Sequence, residues 1–147
     1  MHHILVECKP INSDLLIYSE LGINLLLEWA KLNNLTTIDN PIVHTFPVNI
    51  IDSQLAPGYS VLQCLKESHV SIHTYPEYDK AHLDLFSCTI LSEDINNRFF
   101  KEYFCDYKYQ FIDRTFTIWL FMITIKICYY KYWFFSKTEV FLMNFKG

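Results

Sequence analysis

Ser68, His69, His73 and Cys88 are the residues of this chain whose types and spacing could do chemistry. The first three fall in the run Lys66-Glu67-Ser68-His69-Val70-Ser71-Ile72-His73-Thr74-Tyr75-Pro76-Glu77, and Cys88 follows Ser68 by twenty residues. Residues 69–75 and 81–90 read as two strands around the polar turn Pro76-Glu77-Tyr78-Asp79, which predicts a hairpin. A turn centred near Tyr78 places Ser68 opposite Cys88, with about 5 Å between their Cβ atoms. A hydroxyl and a thiol are then presented together at the open end of one hairpin. His69, Ser71 and His73 fall on the other face of the same strand. The His-x3-His spacing suggests a metal, but four residues of strand span roughly 13 Å, too far for two imidazoles to share one zinc. No metal site is expected. Judged by residue type alone, a serine, a histidine and a cysteine on strands are usually structural.

The elements that must position these side chains follow from the pattern of apolar residues. His2 to Cys8 reads as a first strand. Ser13 and Asp14 offer N-cap chemistry for a helical stretch reaching about Asn33, as one helix or as two if Gly22 breaks it. Leu15, Leu16, Leu21, Leu25, Leu26, Trp29 and Leu32 form its expected inner face. A short strand over Leu35 to Ile38, a strand over Ile42 to Ile50 kinked at Pro47, and a strand over Tyr59 to Leu65 precede the hairpin. Ser92 caps a helix reaching about Cys105, with Ile95, Phe99 and Phe104 inward, and Tyr109 to Phe116 is a last strand. This order predicts an α+β fold, a two-layer sandwich of a largely antiparallel sheet with helices on one face.

The chain has 147 residues, enough for one domain with a proper core. Glycine is scarce at 3 residues, so long elements with short connections are expected. A formal net charge of -4 gives no support for a nucleic-acid surface. The cysteines Cys8, Cys64, Cys88, Cys105 and Cys128 form an odd set without a CxxC pair, and no secretory signal opens the sequence. Free thiols and a cytoplasmic location are expected.

The run around Ser68 resembles the processing site of the prokaryotic-type S-adenosylmethionine decarboxylases, pyruvoyl-dependent enzymes made as proenzymes. The likeness covers roughly Ile4 to Phe116. It is dense from Gly58 to Cys88, where Glu67-Ser68-His69, Ile72-His73-Thr74, Pro76-Glu77 and Asp84-Leu85-Phe86-Ser87-Cys88 stand at the family's spacing. The resemblance implies self-cleavage between Glu67 and Ser68, giving chains 1–67 and 68–147. Ser68 would attack the carbonyl of Glu67, and β-elimination from the resulting ester would leave a covalent pyruvoyl group at residue 68. His73 matches the histidine that removes the α-proton in that elimination, and Ser60 the serine that assists the acyl shift. In turnover the pyruvoyl carbonyl would form a Schiff base with the substrate's α-amine and act as an electron sink. Cys88 matches the acid that returns a proton, and Glu77 a glutamate that binds the ribose hydroxyls. The implied product is the aminopropyl donor for spermidine synthesis.

Ser68 and His73 lie roughly 16 Å apart on an extended strand, and on opposite faces. The family's pocket is at a homodimer interface, so a partner subunit would supply His73, Ser60 and Glu77 in trans. The sequence also departs from the family. Gln54 stands where a phenylalanine stacks on adenine, with Phe46 or Tyr59 as substitutes, and Thr89 replaces a glycine. Two other functions stay open: the same pyruvoyl chemistry on arginine or ornithine, and a non-catalytic homologue that regulates an active partner. The expected domain covers 1–116. The aromatic-rich extension 117–147 has no family counterpart and either contacts a membrane surface, adds packed structure, or does neither.

Overall fold

Alternating burial along His2–Pro10 (β1) sends Ile4, Val6 and Cys8 into the core and leaves Leu5 and Glu7 on the other side. The computed structural model describes residues 1–46, 57–66 and 68–113. After β1 come a 3-10 turn (Ser13–Leu16), α1 (Ser19–Leu32), β2 (Ile42–Phe46), β3 (Gly58–Leu65), β4 (Ser68–Tyr75), a second 3-10 turn (Pro76–Tyr78), β5 (Lys80–Ser87), α2 (Glu93–Tyr103) and β6 (Phe104–Asp113). The strands form one sheet in the order β2-β3-β4-β5-β1-β6. The pairs β2–β3, β3–β4, β4–β5 and β1–β5 run antiparallel. The expected α+β sandwich is therefore present, with β1 inserted beside β5. The chain divides into units 1–112 and 113–147. Beyond Asp113 the second unit lies outside the described residues, and with it the extension 117–147 and Cys128.

One face of the sheet is covered. Leu25, Leu26, Trp29 and Ala30 of α1 and Phe99 and Phe100 of α2 form one buried cluster with Val61, Val70, Ile72, Leu83 and Leu85. Burial of this kind is the main force holding the two layers together. The helical stretch breaks at Ile17 and Tyr18 rather than at Gly22. Gly22 is required for a different reason: a Cβ there would meet the Tyr59 ring within 2.6 Å. Leu21 and Leu32, expected inward, are exposed. The strand expected over Leu35 to Ile38 reduces to one bridge, Thr37 to Leu65. β6 begins at Phe104, earlier than expected, because that residue leaves α2 directly in an extended conformation.

The two helices are joined by a buried polar knot. Asn96 Oδ1 accepts from Trp29 Nε1 at 2.5 Å and from Asn33 Nδ2 at 3.1 Å. Asn96 Nδ2 donates to Asn33 Oδ1 at 3.0 Å and to the Ser92 carbonyl at 2.7 Å. Asn96 is fully buried, so truncating it strands several partners away from water. Asn96→Ala is expected to cost about 3 kcal/mol in a chemical-denaturation midpoint series. A loss under about 0.5 kcal/mol would mean the knot adds nothing to stability.

Candidate active site

Two clusters of polar side chains lie on opposite faces of the central hairpin. The first is on the open face, the one that neither α1 nor α2 covers. Ser60 pairs with His73 across β3 and β4, and Ser60 Oγ lies 2.7 Å from His73 Nδ1. The rest of His73 is exposed to a shallow cavity of about 880 Å³. For Nε2 to act as a base, Nδ1 must carry the proton and donate to Ser60 Oγ. Local backbone chemistry fixes this pair. Thr74 Oγ1 accepts from the Tyr59 N–H at 2.9 Å and donates to the Tyr59 carbonyl at 3.2 Å, clamping the strands one residue away. Gly58 is needed beside them, since a Cβ there would meet the Phe46 ring at 2.7 Å.

The same open face carries further charge. Asp84 Oδ2 lies 2.7 Å from His3 Nε2 and Asp84 Oδ1 3.2 Å from His69 Nε2, while the His69 ring stacks on Phe86 at 5.7 Å. His82 pairs with His73 across β4 and β5, and its Nε2 is 3.9 Å from Glu7. Glu7 accepts from Lys80 at 2.6 Å, and that hydrogen bond and charge hold its carboxyl below the usual range. The His3–Asp84 pair escapes a reading of sequence, because only the β1–β5 pairing brings the two together. Among the described residues no group of three or more His, Cys, Asp or Glu could hold a metal ion.

The second cluster is where β4 begins and β5 ends. The expected register is one residue out. His69 pairs with Phe86 rather than Ser87, so Ser68 comes level with Ser87 and not with Cys88. The cause is the turn: Pro76–Tyr78 forms a 3-10 turn closed by Asp79 in the left-handed conformation, and turn length sets register. Ser68 Oγ still meets residue 88, through its backbone: the Cys88 N–H donates to it at 3.4 Å. Ser68 also donates to Ser87 Oγ at 3.5 Å. The Cys88 side chain is exposed. Cys8 differs sharply, since burial pushes its thiol up to about 12.

Glu77 lies in the 3-10 turn, at the far end of β4 from Ser68. Its Oε2 is buried and has no hydrogen-bond partner among the described residues. Glu67 and Gln54 lie outside the described residues. Tyr59 is ruled out as a stacking platform. It is fully buried, and its hydroxyl donates to the Leu15 carbonyl. Phe46 is half-buried at the end of β2. The structure thus brings Ser60 to His73 and Ser68 to the Cys88 backbone. Within one chain it leaves these pairs on opposite faces, roughly 16 Å apart along β4.

A family model described as S-adenosylmethionine decarboxylase matches residues 2–114. An S-adenosylmethionine decarboxylase proenzyme of Thermodesulfovibrio yellowstonii is 35% identical over 86 residues, which are 58% of this chain and 57% of that one. An arginine decarboxylase proenzyme of Caldivirga maquilingensis is 31% identical over 86 residues, 58% of this chain and 60% of that one. The chain thus spans little more than half the length of these relatives. The crystal structure of the adenosylmethionine decarboxylase from Aquifex aeolicus superimposes with a TM-score of 0.57 at 24% identity, covering 76% of this chain and 87% of that one. That likeness concerns the fold.

Proposed function

The chain belongs to the S-adenosylmethionine decarboxylase family, and from that premise we propose that it is a self-processing, pyruvoyl-dependent decarboxylase of S-adenosylmethionine. The observation that carries the proposal is the Ser60–His73 hydrogen bond. It joins the two side chains assigned to self-processing, although thirteen residues separate them in sequence. Cleavage falls between Glu67 and Ser68, and Ser68 becomes the pyruvoyl group. Residue 68 suits that group: it is a serine whose oxygen receives a backbone N–H and whose neighbour Cys88 has an exposed thiol. When formed, the group supplies a carbonyl that withdraws electrons from the carbon losing carbon dioxide.

The side chains take up the remaining work. His73, oriented by Ser60, removes the α-proton of residue 68 during elimination. The Cys88 thiol returns a proton to the substrate carbon. Glu77, whose Oε2 has no hydrogen-bond partner among the described residues, accepts from ribose hydroxyls. Because His73 and Ser68 stand on opposite faces of one chain, we assign a homodimer in which Ser60, His73 and Glu77 serve the partner's Ser68 where it opens the partner's β4, at the margin of the open sheet face. Leu5, Ile42 and Leu62 give that face exposed apolar area. We place the protein in the cytoplasm and its product in spermidine synthesis. Among the described residues no helix is long and apolar enough to cross a membrane.

A second reading keeps the chemistry and changes the substrate to arginine. The Caldivirga relative and Gln54 in place of an adenine-stacking aromatic favour it. The test is release of carbon dioxide from carboxyl-labelled S-adenosylmethionine, arginine and ornithine by purified protein. Release from S-adenosylmethionine alone is expected. Release from arginine alone would overturn the substrate and keep the reaction class.

A further inference from the structure

Ser87 interrupts the pattern of the strand it ends. Ala81, Leu83 and Leu85 fill the core-facing positions of β5, and the next one carries a hydroxyl that is fully buried. A buried hydroxyl costs free energy unless its hydrogen-bonding capacity is met. Ser87 Oγ lies 2.8 Å from Thr89 Oγ1, accepts the Thr89 N–H at 3.1 Å, and is the acceptor for Ser68 Oγ at 3.5 Å. A hydroxyl has one proton and two lone pairs. With the Thr89 N–H and the Ser68 hydroxyl as its two donors, Ser87 is assigned to donate its own proton to Thr89 Oγ1. The chain of hydroxyls therefore has one direction: Ser68 to Ser87 to Thr89.

That direction fixes how the nucleophile is presented. The Ser68 proton points at Ser87 and one Ser68 lone pair takes the Cys88 N–H at 3.4 Å. One lone pair remains to attack. Both contacts to Ser68 Oγ are longer than the ordinary range for such bonds, so they aim the oxygen without anchoring it. Ser87 is by contrast fixed by two shorter contacts to Thr89.

We infer that Ser87 is a further residue of the self-cleavage reaction, holding the Ser68 hydroxyl with its proton turned aside, and that Thr89 is the positioning residue behind it. The inference rests on the self-processing reading above. In the step it serves, Ser68 Oγ bonds to the carbonyl carbon of residue 67 and the C–N bond of that peptide breaks. The Oγ proton passes to Ser87 as Ser87 passes its own to Thr89, whose exposed hydroxyl releases one to water, and the nitrogen of residue 68 takes one proton from water, so the count is unchanged. Ser87 acts before the ester exists, whereas His73 acts on the ester. Thr89 thus has work of its own in this chain, at a position where the resemblance leads one to expect glycine.

The test follows cleavage of freshly translated full-length chain by intact mass, for wild type, Ser87→Ala, Ser87→Thr, Thr89→Val and Thr89→Ser. Ser87→Ala is expected to slow cleavage about tenfold, with Ser87→Thr restoring it to within about twofold. Thr89→Val should slow it by a smaller factor and Thr89→Ser should recover it. Thr89 is exposed, so its variants remain informative if Ser87→Ala fails to fold. In a His73→Ala background, Ser87→Ala should also lower the fraction of chain cut by hydroxylamine at an ester, a readout that general loosening of the fold would not move selectively. Wild-type cleavage with Ser87→Ala and Thr89→Val both at the wild-type rate would overturn the inference alone. A wild-type chain that never cleaves would overturn the self-processing reading as well.

Discussion

Ser68→Ala is expected to leave the chain whole at 17.6 kDa and to abolish decarboxylation. In the proposed reaction, alanine removes the oxygen that attacks residue 67 and also the atom whose departure creates the pyruvoyl carbonyl. No other hydroxyl can stand in. Among the described residues the hydroxyl of Ser87 lies 3.5 Å from that of Ser68, but on a different strand and directed toward Thr89. The loss is therefore the entire acceleration, at least about 10⁶-fold. The fold should survive, because Ser68 opens β4 and the contacts of its hydroxyl among the described residues are two long ones. Mass spectrometry and a carbon-dioxide assay on the same preparation check both halves. Residual turnover above background would remove Ser68 from its assigned role.

His73→Ala is the second large effect. It removes the imidazole that Ser60 holds at 2.7 Å, and with it the base proposed for elimination. Losing a positioned general base costs about 10²- to 10⁴-fold. The ester at residue 68 should then accumulate, and hydroxylamine should cut it. The same variant tests the shared site. In a mixed dimer of His73→Ala and Cys88→Ala, one site combines the intact Ser68 and Cys88 of the first chain with the intact His73 of the second. Random co-folding of equal amounts should therefore restore about a quarter of wild-type sites. Sites built within single chains would restore none, because each chain lacks one group. The distance along β4 makes that second result the unexpected one.

Much of this was legible in the sequence, for physical reasons that differ from residue to residue. Period-two alternation fixes which face Ser68 and His73 occupy, and Val70 and Ile72 are buried while His73 is exposed, although Ser71 on the His73 face is buried too. Cap chemistry located α2, since Ser92 Oγ does accept from the Ile95 N–H. Register was not legible. It depends on whether the hairpin closes through a short turn or a 3-10 turn with a left-handed Asp79, and one residue of difference exchanged Cys88 for Ser87 beside Ser68. Polar residues on apolar faces were missed for a related reason. Counting apolar positions identifies Phe99 but passes over Asn96 and Ser87, whose burial is made tolerable only by partners distant in sequence or just past the strand end. Tyr59 was misplaced for the opposite reason. An aromatic beside a serine of the site suggests a ligand contact, yet its face of β3 and the space left by Gly22 put it in the core.

The central claim is that this chain cuts itself between Glu67 and Ser68, and the intact mass of purified wild-type protein under denaturing conditions tests it most directly. The account predicts two fragments of 67 and 80 residues. The larger is blocked to Edman degradation and lighter by one ammonia than a fragment beginning with serine. A single chain of 17.6 kDa, unchanged after long incubation, would contradict it.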